Sequence, residues 1–96
     1  MIIERVEFEV KPGQMDAFMA HCRASGHVFE NSKGCVSFSY GRGVENPDKA
    51  IFILRWDSVE AHEAARDGFA AFRGPMPDLI NSAAVEHFDM QAWAGA

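Results

Sequence analysis

Apolar and polar residues alternate along the first ten positions. In residues 2–10, Val6 and Phe8 share one face with Glu4, while charged side chains occupy most of the other face. A period of two is typical of a β-strand with one buried face. Pro12 then interrupts the alternation, and proline is well tolerated in the first turn of a helix because the amide hydrogen that it lacks is not needed there. A strand followed by a helix is predicted.

The next segment has helical spacing. Met15, Phe18, Cys22 and Phe29 recur at the intervals of one helical stripe, which predicts a single helix of about four turns. Gly34 is predicted to end this helix, since glycine readily adopts the left-handed conformation found at helix C-termini.

Two further strands are predicted, joined by a hairpin with Pro47 in its turn. The first covers residues 35–42, where apolar and aromatic residues alternate with serines. Its predicted buried face carries Val36, Phe38 and Tyr40. The second contains residues 51–54, which are apolar on both faces. It is therefore predicted to be a central strand that is covered on both sides.

A helical region and a last strand complete the chain. Ser58 supplies a capping oxygen, and His62 and Phe69 lie on one predicted helical face that looks inward. Gly74 lies in a break that divides the region into two short helices. Residues 84–90 are predicted to form the final strand.

This order predicts an α+β, ferredoxin-like βαββαβ fold with a four-stranded antiparallel sheet. One domain is expected over residues 1–96, with a core of about 2–90 and a short tail at 91–96. Helices cover only one face of such a sheet, and residues 51–54 need cover on both. A homodimer formed by sheet-to-sheet packing is therefore expected.

Composition narrows the classes of partner. The formal net charge is −5, and the nine Lys and Arg residues are scattered singly, so nucleic acid and anionic membranes are not expected partners. Charged residues appear before any apolar stretch long enough for a signal peptide, which predicts a cytoplasmic protein. Without secretory context, Cys22 and Cys35 are predicted to be reduced.

Spacing along the chain predicts no metal site and no bound cofactor. His21 and Cys22 are adjacent on a helix and point about 100° apart, which separates them as ligands. His27 is no better placed. Gly41-Arg42-Gly43 precedes no helix start that would present free amides to a phosphate.

Several motifs resemble antibiotic biosynthesis monooxygenase domains. The longest is Arg55-Trp56-Asp57-Ser58-Val59-Glu60-Ala61-His62. The others are Lys11-Pro12-Gly13, Lys33-Gly34-Cys35, Asn46-Pro47-Asp48, residues 69–72 and Ala84-Val85-Glu86-His87-Phe88. Together they cover nearly the whole chain in the family's order. The resemblance implies a dimeric α/β barrel with a pocket between the sheet and the helices of each subunit.

Family activities include oxidation of polycyclic phenols and quinols by O₂ without metal or flavin, haem degradation, and isomerisation of small molecules. The haem-degrading branch has Asn, Trp and His where this chain has Val6, Ala65 and Arg73, so the resemblance does not imply haem degradation. The phenol-oxidising branch has a Trp that matches Trp56, a Tyr that falls on His62 and an Asn that falls on Phe52.

The predicted function is a cofactor-independent monooxygenase that oxidises a small electron-rich aromatic substrate. His62 is predicted to take a proton from a phenol, and Trp56 to stack on the ring and donate its N–H to the phenolic oxygen. Tyr40, Phe52, Phe69 and Arg73 are the predicted substrate-binding residues. Each also has a structural reading, such as packing for Trp56 or a capping-region histidine for His62. A non-catalytic binding or stress-related dimer and a small-metabolite isomerase remain alternatives.

Overall fold

The structure, a computed structural model, describes residues 1–92. The predicted order of strands and helices is confirmed, with the second helical region divided more finely than expected. The elements are β1 (Ile2–Val10), α1 (Met15–Ser25), α2 (His27–Glu30), β2 (Cys35–Arg42), β3 (Lys49–Trp56), α3 (Val59–Ala65), a 3₁₀ turn (Arg66–Phe69), α4 (Ala70–Arg73), α5 (Met76–Leu79) and β4 (Ile80–Asp89).

The four strands form one antiparallel sheet in the order β2-β3-β1-β4. This order confirms the ferredoxin-like α+β prediction and places β1 between β3 and β4. In that register, Glu4 of β1 lies opposite Leu54 on one side and His87 on the other. The last strand begins at Ile80, four residues before the predicted start at residue 84. Trp93 and the rest of the predicted tail beyond residue 92 lie outside the described residues.

The first helical region is broken at Gly26, so the prediction of one continuous helix is wrong. A Cβ atom at Gly26 would lie 2.7 Å from the Phe38 ring, which shows how closely the chain approaches β2 there. Gly34 has the predicted positive φ, at 85°, but α2 already ends at Glu30. Gly34 instead leads into β2, where a Cβ atom would meet Ala61.

The predicted face of β2 is also partly wrong. Its register against β3 shifts between Cys35 and Ser37, which leaves Val36 as an extra residue that is half exposed. A single extra residue reverses the alternation of a strand, so Val36 does not share the buried face of Phe38.

The core lies between the sheet and the helices, which cover only one face. Six aromatic side chains pack there with ring centroids 4.6 to 6.0 Å apart: Phe8, Phe18, Phe29, Phe38, Phe52 and Phe72. We call them the phenylalanine cluster. The opposite, open face carries ion pairs of Arg5 with Glu7 and Glu86. Across residues 1–92, no helix has the length and apolar character required to cross a membrane.

Candidate functional site

A cavity of about 740 Å³ lies between the sheet and the chain segment from α3 to α5. Its walls are mainly apolar and are supplied by β1, β3, β4 and the short helices. Four of the six predicted site residues line it: Phe52, His62, Phe69 and Arg73. Phe52 and Phe69 are almost fully buried and line the cavity.

The cavity forms because the short helices leave β4 uncovered. Val85 and His87 lie opposite Val6 and Glu4 of β1 and line the cavity, yet almost all of β4 is exposed. Gly74-Pro75 separates α4 from α5, so the helical cover is a series of single turns that stops short of this edge strand.

Three titratable side chains meet on the cavity floor. His62 Nδ1 lies 2.7 Å from His87 Nε2, in hydrogen-bond contact, and His62 Nε2 lies 3.4 Å from Glu4 Oε2. Glu4 and His62 are buried, whereas His87 is exposed and lines the cavity. We call these three residues the Glu-His-His group. It forms a continuous polar path from the protein interior to the cavity.

Local sequence rules explain how the three side chains converge. The alternation of β1 turns Glu4 toward the helices, and the antiparallel register brings His87 beside it. Ser58 Oγ accepts the Ala61 amide hydrogen at 3.0 Å and fixes the start of α3. His62, one turn from that cap, then points back to the sheet.

Trp56 supports this group and is not a wall of the cavity. Its side chain is fully buried, and its indole N–H donates to Glu4 Oε1 at 2.9 Å. The prediction that Trp56 stacks on a substrate and donates to a phenolic oxygen therefore does not fit the structure. Trp56 reaches the chemistry through Glu4, and its ring also packs against His62 with centroids 5.2 Å apart.

Burial favours the neutral form of His62. Desolvation lowers the pKa of the imidazole, the Glu4 carboxylate opposes this by raising it, and His87 lowers it further. Burial is the largest of these effects, so His62 keeps an available nitrogen lone pair near neutral pH. A neutral imidazole beside an apolar cavity can act as a general base.

Cationic side chains line the cavity beyond the histidines. Arg66 and Arg73 both contribute to its wall, and Arg73 Nη1 donates to the Arg66 carbonyl oxygen at 2.9 Å. Arg73 therefore lies at the cavity, and its role in binding substrate stays a prediction. An anionic oxygen on a bound molecule would be attracted to this end of the cavity.

Tyr40 lies apart from the other predicted site residues. It belongs to β2, and β2 and β4 are the opposite edges of the sheet. Tyr40 stacks on Phe38, with centroids 5.7 Å apart, and lines a separate groove of about 420 Å³. The alternation of apolar and polar residues in β2 predicted which face of the sheet carries Tyr40. It could not predict at which edge of the sheet Tyr40 lies.

Two residues of the site were missed as functional candidates, namely Glu4 and His87. Glu4 carried a usable signal, because a lone carboxylate on an otherwise apolar strand face needs buried partners. His87 carried none, since its proximity to Glu4 and His62 depends on the strand register.

The family model for antibiotic biosynthesis monooxygenase matches residues 1–73. No curated protein gave a significant match to the chain.

Solved structures share the fold across nearly the full chain. A Bordetella bronchiseptica protein proposed to be an antibiotic biosynthesis monooxygenase is 22% identical, with 95% of this chain and 97% of that chain covered and a TM-score of 0.87. A point mutant of MhuD, solved with two manganese protoporphyrin IX molecules per active site, is 21% identical over 100% of both chains, with a TM-score of 0.85. Rv0793 from Mycobacterium tuberculosis is 18% identical over 98% of both chains, with a TM-score of 0.83.

These TM-scores establish a shared fold, and the family model, which covers about three quarters of the chain, adds the sequence relationship. The chain belongs to the antibiotic biosynthesis monooxygenase family.

Proposed function

We propose that this protein is a cofactor-independent monooxygenase that oxidises an electron-rich aromatic, such as a quinol or a polycyclic phenol. The observation that carries the proposal is the buried histidine of the Glu-His-His group on the floor of a largely apolar cavity. The cavity volume of about 740 Å³ lies in the range of small-molecule pockets.

Binding of a flat aromatic follows from the cavity walls. Phe52 and Phe69 present ring surfaces, and aromatic rings pack well in offset or edge contacts. The phenolic oxygen would lie toward the histidines, and Arg66 and Arg73 would stabilise negative charge that develops on it. The apolar walls exclude water from the ring.

The histidine pair supplies the base. In the proposed reaction, His87 Nε2 at the cavity side or His62 takes the phenolic proton, and the 2.7 Å contact between them lets the proton be shared. The nearby Glu4 carboxylate stabilises the resulting imidazolium. The phenolate left behind is a far stronger electron donor than the phenol.

The substrate then provides all the electrons that O₂ requires. One-electron transfer from the phenolate gives superoxide and a phenoxyl radical, and their recombination at a ring carbon that carries hydrogen forms the carbon–oxygen bond of a peroxide. Loss of that carbon's hydrogen as a proton breaks the O–O bond and leaves a quinone carbonyl oxygen on the substrate. One oxygen atom enters the product, the other leaves as water, and the four electrons come from the substrate. The proton held by the histidines returns to the departing oxygen.

Oxygen consumption by the metal-stripped protein tests the proposal. A panel of quinols, anthrones and naphthols is compared with autoxidation in the absence of protein. We expect uptake above that control, and we expect His87→Gln to lower the initial rate at least about 100-fold, the lower end of the range for a general base. His27→Gln, which changes an exposed histidine outside the cavity, should keep the wild-type rate.

The proposal is wrong if no substrate is consumed above the control, or if His87→Gln and His62→Gln both oxidise the panel as fast as the wild type. Thermal stabilisation by panel compounds without oxygen uptake would instead indicate a binding protein.

A proton-transfer isomerase is the second candidate, favoured by the presence of two histidines and two arginines along one cavity. Such an enzyme would move a proton between carbons beside a carbonyl, while the arginines hold a hydroxyl or phosphate group. Incubation with small hydroxyketones and their phosphates in D₂O, followed by NMR, tests this candidate. Enzyme-dependent deuterium incorporation without oxygen uptake would support it, and its absence would remove it.

We also propose a homodimer through the open face of the sheet, as the fold family suggests. Phe88 is substantially exposed on this face, opposite the buried Ile3. The half-buried Ile51 and Ile53 lie further along the same face, opposite Glu7 and Arg5. Light scattering should give twice the chain mass of 10.6 kDa, and Phe88→Glu should shift the population to monomer. A wild-type monomer at all accessible concentrations would contradict this.

A further inference from the structure

We propose that Glu4, His62 and His87 together bind one divalent transition-metal ion, with Zn²⁺ as the representative ion, on the cavity floor. This inference goes beyond the proposed oxygenase and does not depend on it, because metal binding is measured without substrate.

The ligand types suit such an ion. Two imidazoles and one carboxylate form a common three-residue set for zinc and related metals, and the fourth position stays open for water or a ligand. One potential ligand atom from each of the three residues lies within 4.8 Å of the other two. Residue spacing in the sequence did not predict this set of ligands, because its members come from three separate elements, β1, α3 and β4.

The distance between Glu4 and His62 already suits an ion, whereas His87 Nε2 now contacts the other ring nitrogen of His62, Nδ1. His62 Nε2 and Glu4 Oε2 are 3.4 Å apart, and two ligands of a tetrahedral ion at about 2.1 Å lie about 3.4 Å apart. His87 is the member that must move to complete the site. It is exposed on an edge strand, so its ring can turn without displacing packed neighbours.

The surroundings of Glu4 and His62 also fit a metal site. The Trp56 indole N–H holds Glu4 Oε1 at 2.9 Å and leaves Oε2 for the ion, which is the support that outer hydrogen bonds give to metal ligands. Glu4 and His62 are both buried, so the surrounding shell limits solvent access to a bound ion.

The two cysteines are poor competitors for the ion. Burial raises the pKa of the Cys22 thiol to about 12 and also raises the pKa of Cys35. Both sulfurs therefore stay protonated near neutral pH, and metals bind the thiolate form. A bound ion is expected to have nitrogen and oxygen ligands only.

Metal binding has a consequence for the proposed oxygenase. An ion at this position would occupy the histidine lone pairs that the base requires. Zn²⁺ should therefore inhibit oxygen uptake, and a chelator should restore it. If the oxygenase proposal fails, this consequence disappears, but the binding measurement is unaffected.

The test is a Co²⁺ titration of the metal-stripped full chain at pH 7.5, followed by visible absorption and by competition with Zn²⁺. We expect one ion per chain, with d–d bands of a nitrogen and oxygen site. His87→Ala should weaken binding at least about tenfold, the lower range for loss of a supporting group at a metal site. Glu4→Gln should also weaken it, and His27→Ala should bind like the wild type.

His87→Ala is the decisive variant, because His87 is exposed and its removal leaves the core intact; circular dichroism confirms the fold of each variant. The proposal is overturned by the absence of Co²⁺ and Zn²⁺ binding, by unchanged affinity in His87→Ala, or by an intense near-ultraviolet thiolate band that assigns the ion to a cysteine.

Discussion

The two faces of the sheet use the same residue type in opposite ways. Glu4 and Glu7 are three residues apart in β1, so they point to opposite faces. Glu4 faces the helices, is 5% exposed, and accepts a hydrogen bond from Trp56. Glu7 faces the open side and pairs with Lys49 at 2.6 Å and with Arg5 at 3.3 Å.

The difference shows where function is expected. Burying a carboxylate costs free energy unless partners satisfy its hydrogen bonds, so buried carboxylates often have a functional role. A partly exposed carboxylate with flexible cationic partners contributes little to folding and needs no functional explanation. By this criterion Glu4 marks a site and Glu7 marks a surface.

The covered face itself contains two kinds of interior. The phenylalanine cluster is apolar throughout and stabilises the fold by burial. The Glu-His-His group lies next to it, where polar atoms depend on one another for satisfaction. The following substitutions separate these contributions.

The largest effect is expected within the phenylalanine cluster. Phe18 is fully buried and contacts Phe8 and Phe52, so Phe18→Ala removes a ring and leaves a cavity. Loss of about 3–5 kcal/mol in the free energy of unfolding is expected, measured by urea denaturation. Phe18→Leu should lose clearly less, because it refills most of the volume.

Two results would contradict this assignment. Equal losses for Phe18→Ala and Phe18→Leu would mean that volume does not control stability here. A loss no larger than that of Val44→Ala, which changes a residue that is 91% exposed, would place Phe18 outside the core.

The next effect is expected at Glu4, where shape and hydrogen bonding can be separated. Glu4→Leu leaves the buried Trp56 N–H without its acceptor and should destabilise the protein by about 1–3 kcal/mol. Glu4→Gln keeps an acceptor of the same size and should be less destabilising. Thermal unfolding of both variants, with indole fluorescence as a local probe, measures the difference.

A stable Glu4→Leu variant with unchanged indole fluorescence would show that the Trp56 contact is dispensable. Trp56 would then lose its role as the support of Glu4.

Sequence pattern predicted the fold well because local rules govern it. The alternation in β1 placed Glu4 on the apolar face, and the helical stripe turned His62 inward, as observed. The site was less predictable, since the contact between His62 and His87 depends on strand register and on the order of strands in the sheet. The misplacement of Tyr40 has the same cause, because a residue's face can be deduced locally but its position across the sheet cannot.

A smaller effect is expected from pH, through His62. Burial lowers its folded-state pKa below the usual value of 6.5, so the unfolded chain binds a proton more readily. The contribution of neutral His62 to the free energy of unfolding is fully present above about pH 6.5. It is lost as the pH falls from there through the lowered pKa. Urea midpoints between pH 5 and 8 should rise with pH, and His62→Gln should flatten the rise.

His27→Gln is the matched control and should keep the wild-type slope, because His27 is exposed. A slope of the opposite sign would mean that attraction to Glu4 outweighs burial at His62.

The smallest effect is expected on the open face, where Lys49 contacts Glu7. Lys49 is the main cause of the lowered pKa of Glu7, so Lys49→Ala should bring that pKa back toward its usual value of 4.5. A carboxyl with a depressed folded pKa stabilises the protein above its unfolded pKa and loses this contribution as pH falls. In the monomeric Phe88→Glu background, salt and solvent screen this pair, so the urea midpoint at pH 7 should barely move. Carboxyl titration by NMR should therefore detect the substitution that denaturation does not. A large loss of stability in the Phe88→Glu background would contradict this expectation, whereas a larger loss in the wild-type background is expected if the proposed second subunit covers the pair.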